Sequence, residues 1–136
     1  MVNSTTFTNC QDKLKSLIKY YRENHNTRNE ATTRHQLIDI LIHDCLNWNR
    51  QNTITEDRTN NGQYTDYTLK IDGKNRLILE AKREANYFEL HAGNNNIKYS
   101  IKTLCDNNPN TEEAINQVLN YCSQKGAEYA VICNGW

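Results

Sequence analysis

The sequence has no excess of charge of either sign: 16 Lys and Arg stand against 16 Asp and Glu. That excludes a uniformly basic nucleic-acid binder, so any contact with a polyanion has to come from local patches. No apolar run approaches the length that crosses a bilayer. The polar start MVNSTTFTNCQDK lacks the apolar segment of a signal peptide. A membrane partner is therefore not expected. No two of the five cysteines, Cys10, Cys45, Cys105, Cys122 and Cys133, stand in a C-x-x-C spacing, and their number is odd. Structural zinc and a disulfide framework both drop out. Free thiols packed as small hydrophobes in a reducing cytosol are expected instead. There is no internal repeat and no G-x-x-x-x-G-K-[ST], so any use of ATP must lie in other sequence.

What is present is one domain's worth of chain. At 136 residues, roughly two-thirds of the unfolded surface can be buried. Hydrophobic residues are 37% of the total, and they recur periodically, which sets the chain apart from a disordered composition. Leu14, Leu17, Ile18 and Tyr21 predict a helix over Gln11 to Arg22. Leu37, Ile38, Leu41, Ile42, Cys45 and Trp48 predict a second, from about Asn29 or Glu30 to Trp48, after a polar break at Glu23 to Arg28.

Strands follow at Thr53 to Arg58, Tyr64 to Ile71 and Arg76 to Arg83, with turn signals at Asn61-Gly62 and Asp72-Gly73. Ala92 to Asn96 reads as a loop, and Ile97 to Cys105 as a short helix or strand. Past Pro109, a helix with Asn110 as N-cap and Glu113 in a capping box buries Ala114, Ile115, Val118, Leu119 and Cys122. It ends at Gly126. Glu128 to Cys133 reads as a buried last strand. A helix between the third and fourth strands implies a parallel crossover. The expected fold is a mixed α/β sheet with helices packed on it.

The stretch RLILEAKR runs from a buried strand into charge. Alternation places Glu80 and Lys82 on one face. Asp66 lies on the preceding strand. A plain two-residue turn at Asp72-Gly73 pairs Asp66 with Leu79 and sends it to the wrong face. An odd loop or a bulge brings it to Glu80, and that register is predicted. Two carboxylates and the Ala81 carbonyl are then hard oxygen ligands suited to Mg²⁺ or Mn²⁺, which would hold a scissile phosphate and activate water. Lys82 would orient that water and offset negative charge. Arg83, on the other face, is left with at most a phosphate contact.

At helical spacing, Glu30 and Arg34 share a face with Leu37, Leu41, Cys45 and Trp48. Glu30 is either a metal-site acid above the sheet or half of an ordinary Glu30–Arg34 pair at a helix start. Gln117 and Tyr121, one turn apart, are either a margin of the late helix or contacts to the site. His35, Asp39 and His43 share a face that reads as solvated. Tyr20, Tyr21, Tyr64 and Tyr67 suit packing as well as base stacking.

Asp66, followed by YTLKIDGKNRLIL and then Glu80-Ala81-Lys82, resembles the D…(E/D)xK signature of the PD-(D/E)xK restriction-endonuclease-like nucleases. EATTRHQLIDILIHDCLNW, from Glu30, is similar to the opening helix in N-terminal nuclease domains of type I restriction motor subunits. EAKREANYFEL resembles the continuation after the ExK strand. AINQVLNYCSQKGAEYAVICNG resembles the Q-x-x-x-Y helix and final strand, with Gln117 and Tyr121 in the motif positions. Thr65 stands where a Pro is common, and Cys133-Asn134-Gly135 where Thr-Asn-Gly is common.

The resemblance covers residues 29–136. It implies an αβββαβ restriction-endonuclease-like core, with residues 1–28 as an N-terminal helical extension. It implies Mg²⁺- or Mn²⁺-dependent cleavage of DNA, double-stranded by expectation, in bacterial restriction or antiphage defence. Glu30, Asp66 and Glu80 would be metal-site acids and Lys82 the catalytic lysine, with Gln117 and Tyr121 in support. Such domains belong to larger proteins with a motor or sensor NTPase. A longer protein, or self-association to hold DNA, is accordingly expected here.

Overall fold

A computed structural model of the chain describes residues 4–24, 28–88 and 98–135. The expected loop at Ala92 to Asn96 lies outside them, as does Ile97. Helix α1 spans Ser4–Glu23, starting a turn or two before the apolar periodicity does. Helix α2, residues 30–45, opens with an α-helical turn at Glu30–Thr33, whose N-cap Asn29 accepts from the Thr32 N–H. It then widens into π turns over Arg34–Ile38 and Ile40–Cys45. The expected run to Trp48 is not reached: Leu46 and Trp48 donate back to Leu41 and Ile42 and close the helix.

Among the described residues, four strands make one sheet in the order β1 (Thr53–Arg58), β2 (Tyr64–Ile71), β3 (Lys74–Ala81) and β4 (Tyr129–Cys133). The first three form an antiparallel meander, and β4 is parallel to β3. The crossover between them carries α3 (Ile101–Cys105) and α4 (Pro109–Lys125). The predicted mixed sheet with flanking helices is therefore present.

The sheet is covered on both faces. Tyr67, Leu69, Leu79 and Ala81 pack with Ile38 and Ile42 of α2. Ile78, from the opposite face, packs with Val118, Tyr121 and Cys122 of α4. Two helix expectations need correction. The N-cap of α4 is Asn108, whose side chain accepts from the Thr111 N–H, so Pro109 is the first helical residue and Asn110 lies inside the helix. The buried face of α4 includes Thr111 and Tyr121, whereas Leu119 is exposed. Gly126 ends the helix in the left-handed region, as expected. The last strand is an edge strand with exposed and half-buried residues, not a fully buried one, because β3 pairs it on one side only.

The hairpin register contains the bulge that the parity argument requires. Asp72 and Gly73 both have positive φ, so the turn is the tight two-residue type. Ile71 pairs with Lys74 and Lys70 with Asn75, but Leu69 pairs with Leu77. Arg76 is the extra residue, and the shift carries through to Tyr67 and Leu79. The next residues outward, Asp66 and Glu80, consequently stand opposite one another.

A clamp that the periodicity does not announce ties the α1–α2 junction to the segment after β3. Arg28 and Glu84 form an ion pair at 2.8 Å, with side chains only 4% and 2% exposed. Arg28 also bonds Gln36 Oε1 and the Asn24 carbonyl, and its backbone N–H reaches Glu84 as well. The Glu84 N–H donates to Thr33 Oγ1.

Candidate active site

The carboxylates meet where β2 and β3 part. The ladder ends at Tyr67 and Leu79. Past it the Asp66 carboxylate takes over a main-chain partner, with Oδ2 accepting the Ala81 N–H at 2.7 Å. Its other oxygen, Oδ1, lies 3.2 Å from Arg34 Nη1. Arg34 stacks over the Tyr67 ring at 5.1 Å. Tyr67 is fully buried and donates to Asp39 Oδ1 at 2.8 Å. Asp39 is thus turned inward. The solvated face expected for His35, Asp39 and His43 holds for the exposed His35 but not for the other two, because His43 is also drawn in, to the Trp48 carbonyl.

Glu80 is 3% exposed. Its Oε1 accepts from Lys82 Nζ at 2.9 Å, and its Oε2 is buried with no hydrogen-bond partner. Burial first, and then the Asp66 charge, push the Glu80 carboxyl up to about 7, against the pull of Lys82. Lys82 is raised as well, which for an amine favours the charged form. Burial works against its charge, but the bond to Glu80 and the surrounding acids outweigh that and hold it protonated. An amine so held cannot serve as a neutral base near pH 7; it is a fixed positive charge and a donor.

The late helix supplies the support for that lysine. Gln117 Oε1 accepts from Lys82 Nζ at 2.8 Å, while Gln117 Nε2 donates to the Tyr121 hydroxyl at 3.0 Å. Tyr121 is itself buried. Gln117 thus touches Lys82 directly, and Tyr121 is linked to it through Gln117. The Cys133-Asn134-Gly135 segment braces the opposite side. The Cys133 carbonyl accepts the Lys82 N–H at 2.8 Å, and Asn134 Nδ2 donates to the Asn86 carbonyl at 2.7 Å.

Two expected members stand apart. Glu30 is exposed at the start of α2, close enough that both Glu80 and Lys82 feel its charge. Its ordinary pairing with Arg34 does not form: Arg34 goes to Asp66 and Glu56 instead. Arg83 is exposed beyond the end of β3. Among the described residues, no group of three or more His, Cys, Asp and Glu side chains is gathered tightly enough to hold a metal ion. Asp66 and Glu80 are therefore a pair, with Glu30 outside it. The five cysteines are free thiols, and only Cys45 and Cys122 are buried.

A divalent cation nevertheless fits the donor set. A buried carboxylate oxygen without a partner is costly, and such orphans call for an explanation. An ion between Glu80 and Asp66 would satisfy Glu80 Oε2 and remove the repulsion between the acids. Oxygen donors of this hardness select Mg²⁺ or Mn²⁺ over softer ions.

The fold and site define a mixed α/β domain with an acid pair and a buttressed lysine at one end of its sheet. No family model, curated protein or solved structure matches the chain. Among the described residues, no helix is long and apolar enough to cross a membrane.

Proposed function

We propose that this chain is a Mg²⁺- or Mn²⁺-dependent DNA endonuclease domain with a restriction-endonuclease-like core, acting in bacterial restriction or antiphage defence. The observation that carries the reading is the buried, unpartnered Glu80 Oε2 beside Asp66, with Lys82 fixed two residues away. The choice of DNA, of defence and of the bacterial cytosol comes from the motif resemblance.

Asp66, Glu80 and the Ala81 carbonyl would hold the ion. When bound, it supplies Lewis-acid polarisation of a phosphodiester and makes water acidic enough to attack near pH 7. Lys82, kept as an ammonium by Glu80 and Gln117, orients the attacking water and balances the charge that grows on phosphorus. Gln117 and Tyr121 fix the lysine's position. Glu30 is the outlying acid, able to reach the ion through water. Arg83, exposed beyond the strand end, would make at most a DNA phosphate contact. The balanced net charge implies weak, salt-sensitive binding by this domain alone. Double-stranded DNA would be held with the help of a motor or sensor NTPase domain, or of a second copy.

A second reading is a catalytically silent nuclease-like fold that binds nucleic acid or a partner. It is favoured by one observation: Asp66 and Glu80 already have cationic partners in Arg34 and Lys82. Plasmid nicking with Mg²⁺, wild type against Lys82→Ala, separates the two when run beside a thermal melt with and without Mn²⁺. Cutting that is lost in the variant supports the enzyme. DNA binding with no cutting and no Mn²⁺-dependent stabilisation defeats it.

A further inference from the structure

One residue near this site has a backbone that its sequence does not explain. Glu56 lies in the middle of β1 at φ +51°, in the left-handed region. L side chains other than Asn, Asp and His seldom adopt it. The pairing of β1 with β2 keeps the same register on either side, Thr55 with Tyr67 and Asp57 with Thr65. No residue is inserted there, so Glu56 is a lone twisted position directly across from Asp66. Packing does not impose the twist, since the Glu56 side chain is 70% exposed. Strain of this kind gathers at functional sites, where surrounding contacts sustain it.

The contact it makes is to Arg34. Glu56 Oε1 lies 3.4 Å from Arg34 Nη1, and the same nitrogen lies 3.2 Å from Asp66 Oδ1. One guanidinium nitrogen is thus shared between an exposed acid and a proposed metal ligand. The guanidinium carbon lies over the Tyr67 ring, 5.1 Å from its centroid, a surface that keeps it near both acceptors. The other Asp66 oxygen is already taken by the Ala81 N–H. A cation that takes Asp66 through Oδ1 must displace Arg34 or share that oxygen with it, and one on the free lone pair of Oδ2 still meets the Arg34 charge.

Resting on the metal site proposed above, we infer that Arg34 is a resident cation that competes with the divalent metal for Asp66, and that Glu56 is the positioning acid that takes Arg34 when the metal arrives. The charges favour such a device. Arg34 and Lys82 already offset Asp66 and Glu80, so a divalent ion added to all four leaves that set at +2. Moving the guanidinium onto Glu56 takes away one of those charges, and Glu30 at the site's edge offsets another.

The test is Mn²⁺ affinity by titration calorimetry on the full 136-residue chain, with urea midpoints measured alongside. Arg34→Met is expected to tighten Mn²⁺ binding, and Glu56→Gln to weaken it, each by roughly two- to fivefold, the scale of a partly exposed ion pair. The double variant should match Arg34→Met alone. Glu56→Gly supplies a readout that a merely structural role would not give: it relieves the positive φ and should raise the urea midpoint, while weakening Mn²⁺ binding as Glu56→Gln does. Unchanged affinity in Glu56→Gln overturns the inference, and so does an equal loss with and without Arg34, which would make Glu56 a direct ligand. Asp66→Asn separates the two failures. If wild type binds no Mn²⁺, or binds it equally after Asp66→Asn, the metal site itself is wrong; if Asp66→Asn abolishes binding and the Arg34 and Glu56 variants do nothing, only this inference falls.

Discussion

Replacing Glu80 by Gln should make the metal-free protein more stable, and the gain should depend on pH in a specific way. The Glu80 carboxyl is pushed from an ordinary 4.5 up to about 7, by burial first and by Asp66 second. Its folded pKa lies above its unfolded one. Between these values the native state keeps a proton that the unfolded chain has released. Stability therefore falls as pH rises from about 4.5 to about 7, and stays lowered above that. One pKa unit is worth about 1.4 kcal/mol, so the loss is on the order of 3 kcal/mol by pH 8.5.

Gln is the informative substitution because its Oε1 can still accept from Lys82, which donates to Glu80 at 2.9 Å. It removes the charge while leaving that bond. In EDTA, urea unfolding should show Glu80→Gln more stable than wild type by about 3 kcal/mol at pH 8.5, with the difference shrinking to under about 1 kcal/mol at pH 5 and to near zero below about pH 4. Adding Mn²⁺ at pH 8 should stabilise wild type and leave the variant unmoved, since a ligand stabilises only the state that binds it. Parallel pH profiles for the two proteins would refute the reasoning, because they would mean that Glu80 carries no penalty for its charge.

Other changes probe the frame around the site. Glu84→Ala strands the buried Arg28 guanidinium and should lower stability by about 3–5 kcal/mol, whereas Arg28→Met with Glu84→Leu should recover most of it; a urea-measured loss under about 1 kcal/mol would contradict the clamp. Burial acts to raise the Glu84 carboxyl, but its bonds to Arg28 outweigh that and hold it below the usual carboxylate range, so this contribution is complete above pH 4.5 and fades as an acid titration passes below it. Gln117→Leu removes the partner of both Lys82 and the Tyr121 hydroxyl; nicking should drop roughly tenfold or more while the circular dichroism spectrum stays that of wild type, because misplacing a catalytic group costs more than the bond itself. At Gly135 the φ is +76° and an added Cβ would lie 2.7 Å from Leu37 Cδ1, so Gly135→Ala should destabilise by about 1–3 kcal/mol in a thermal or urea melt.

The sheet and its crossover were legible because alternation and turn chemistry are local. Thr53 to Arg58 and Tyr64 to Ile71 are strands as read. Asp72-Gly73 closes the hairpin, and the helix between β3 and β4 makes that pair parallel. Parity alone shows that Asp66 needs an odd register to reach Glu80. It does not say that Arg76 would be the residue left over, since that depends on which side chains the two helices cover. Asn108 and Asn110 both flank Pro109, and only the preference of Pro for the first helical turn separates them. The apolar stripe of α2 is buried as read at Leu37, Ile38, Ile42 and Cys45, but the 100° rule assumes α geometry and puts Asp39 on the solvated side. Wide π turns bring Asp39 onto Tyr67 instead. Arg28 and Glu84 were missed since 56 positions separate them, and neither sits in an apolar pattern.

The same limit explains why Arg34 and Glu56 looked ordinary. On a helix, Glu30 and Arg34 stand one turn apart, and a local pair is the natural expectation. The fold offers Arg34 something better. Asp66 sits at the point where the β2–β3 ladder has just ended, and one of its oxygens has already replaced a main-chain acceptor. The remaining oxygen needs a cation, and α2 crosses that end of the sheet with Tyr67 beneath it. Arg34 is drawn from Glu30 to Asp66 by burial and geometry together, which leaves Glu30 exposed and its charge unspent at the site's edge. A domain built only for stability would have placed an apolar pair at Asp66 and Glu80, because buried charges seldom stabilise more than the hydrophobes that could replace them. Keeping two acids, two cations and one unpartnered carboxylate oxygen together costs stability that an apolar cluster would not. That is the physical ground for reading this end of the sheet as a site and not as a part of the core.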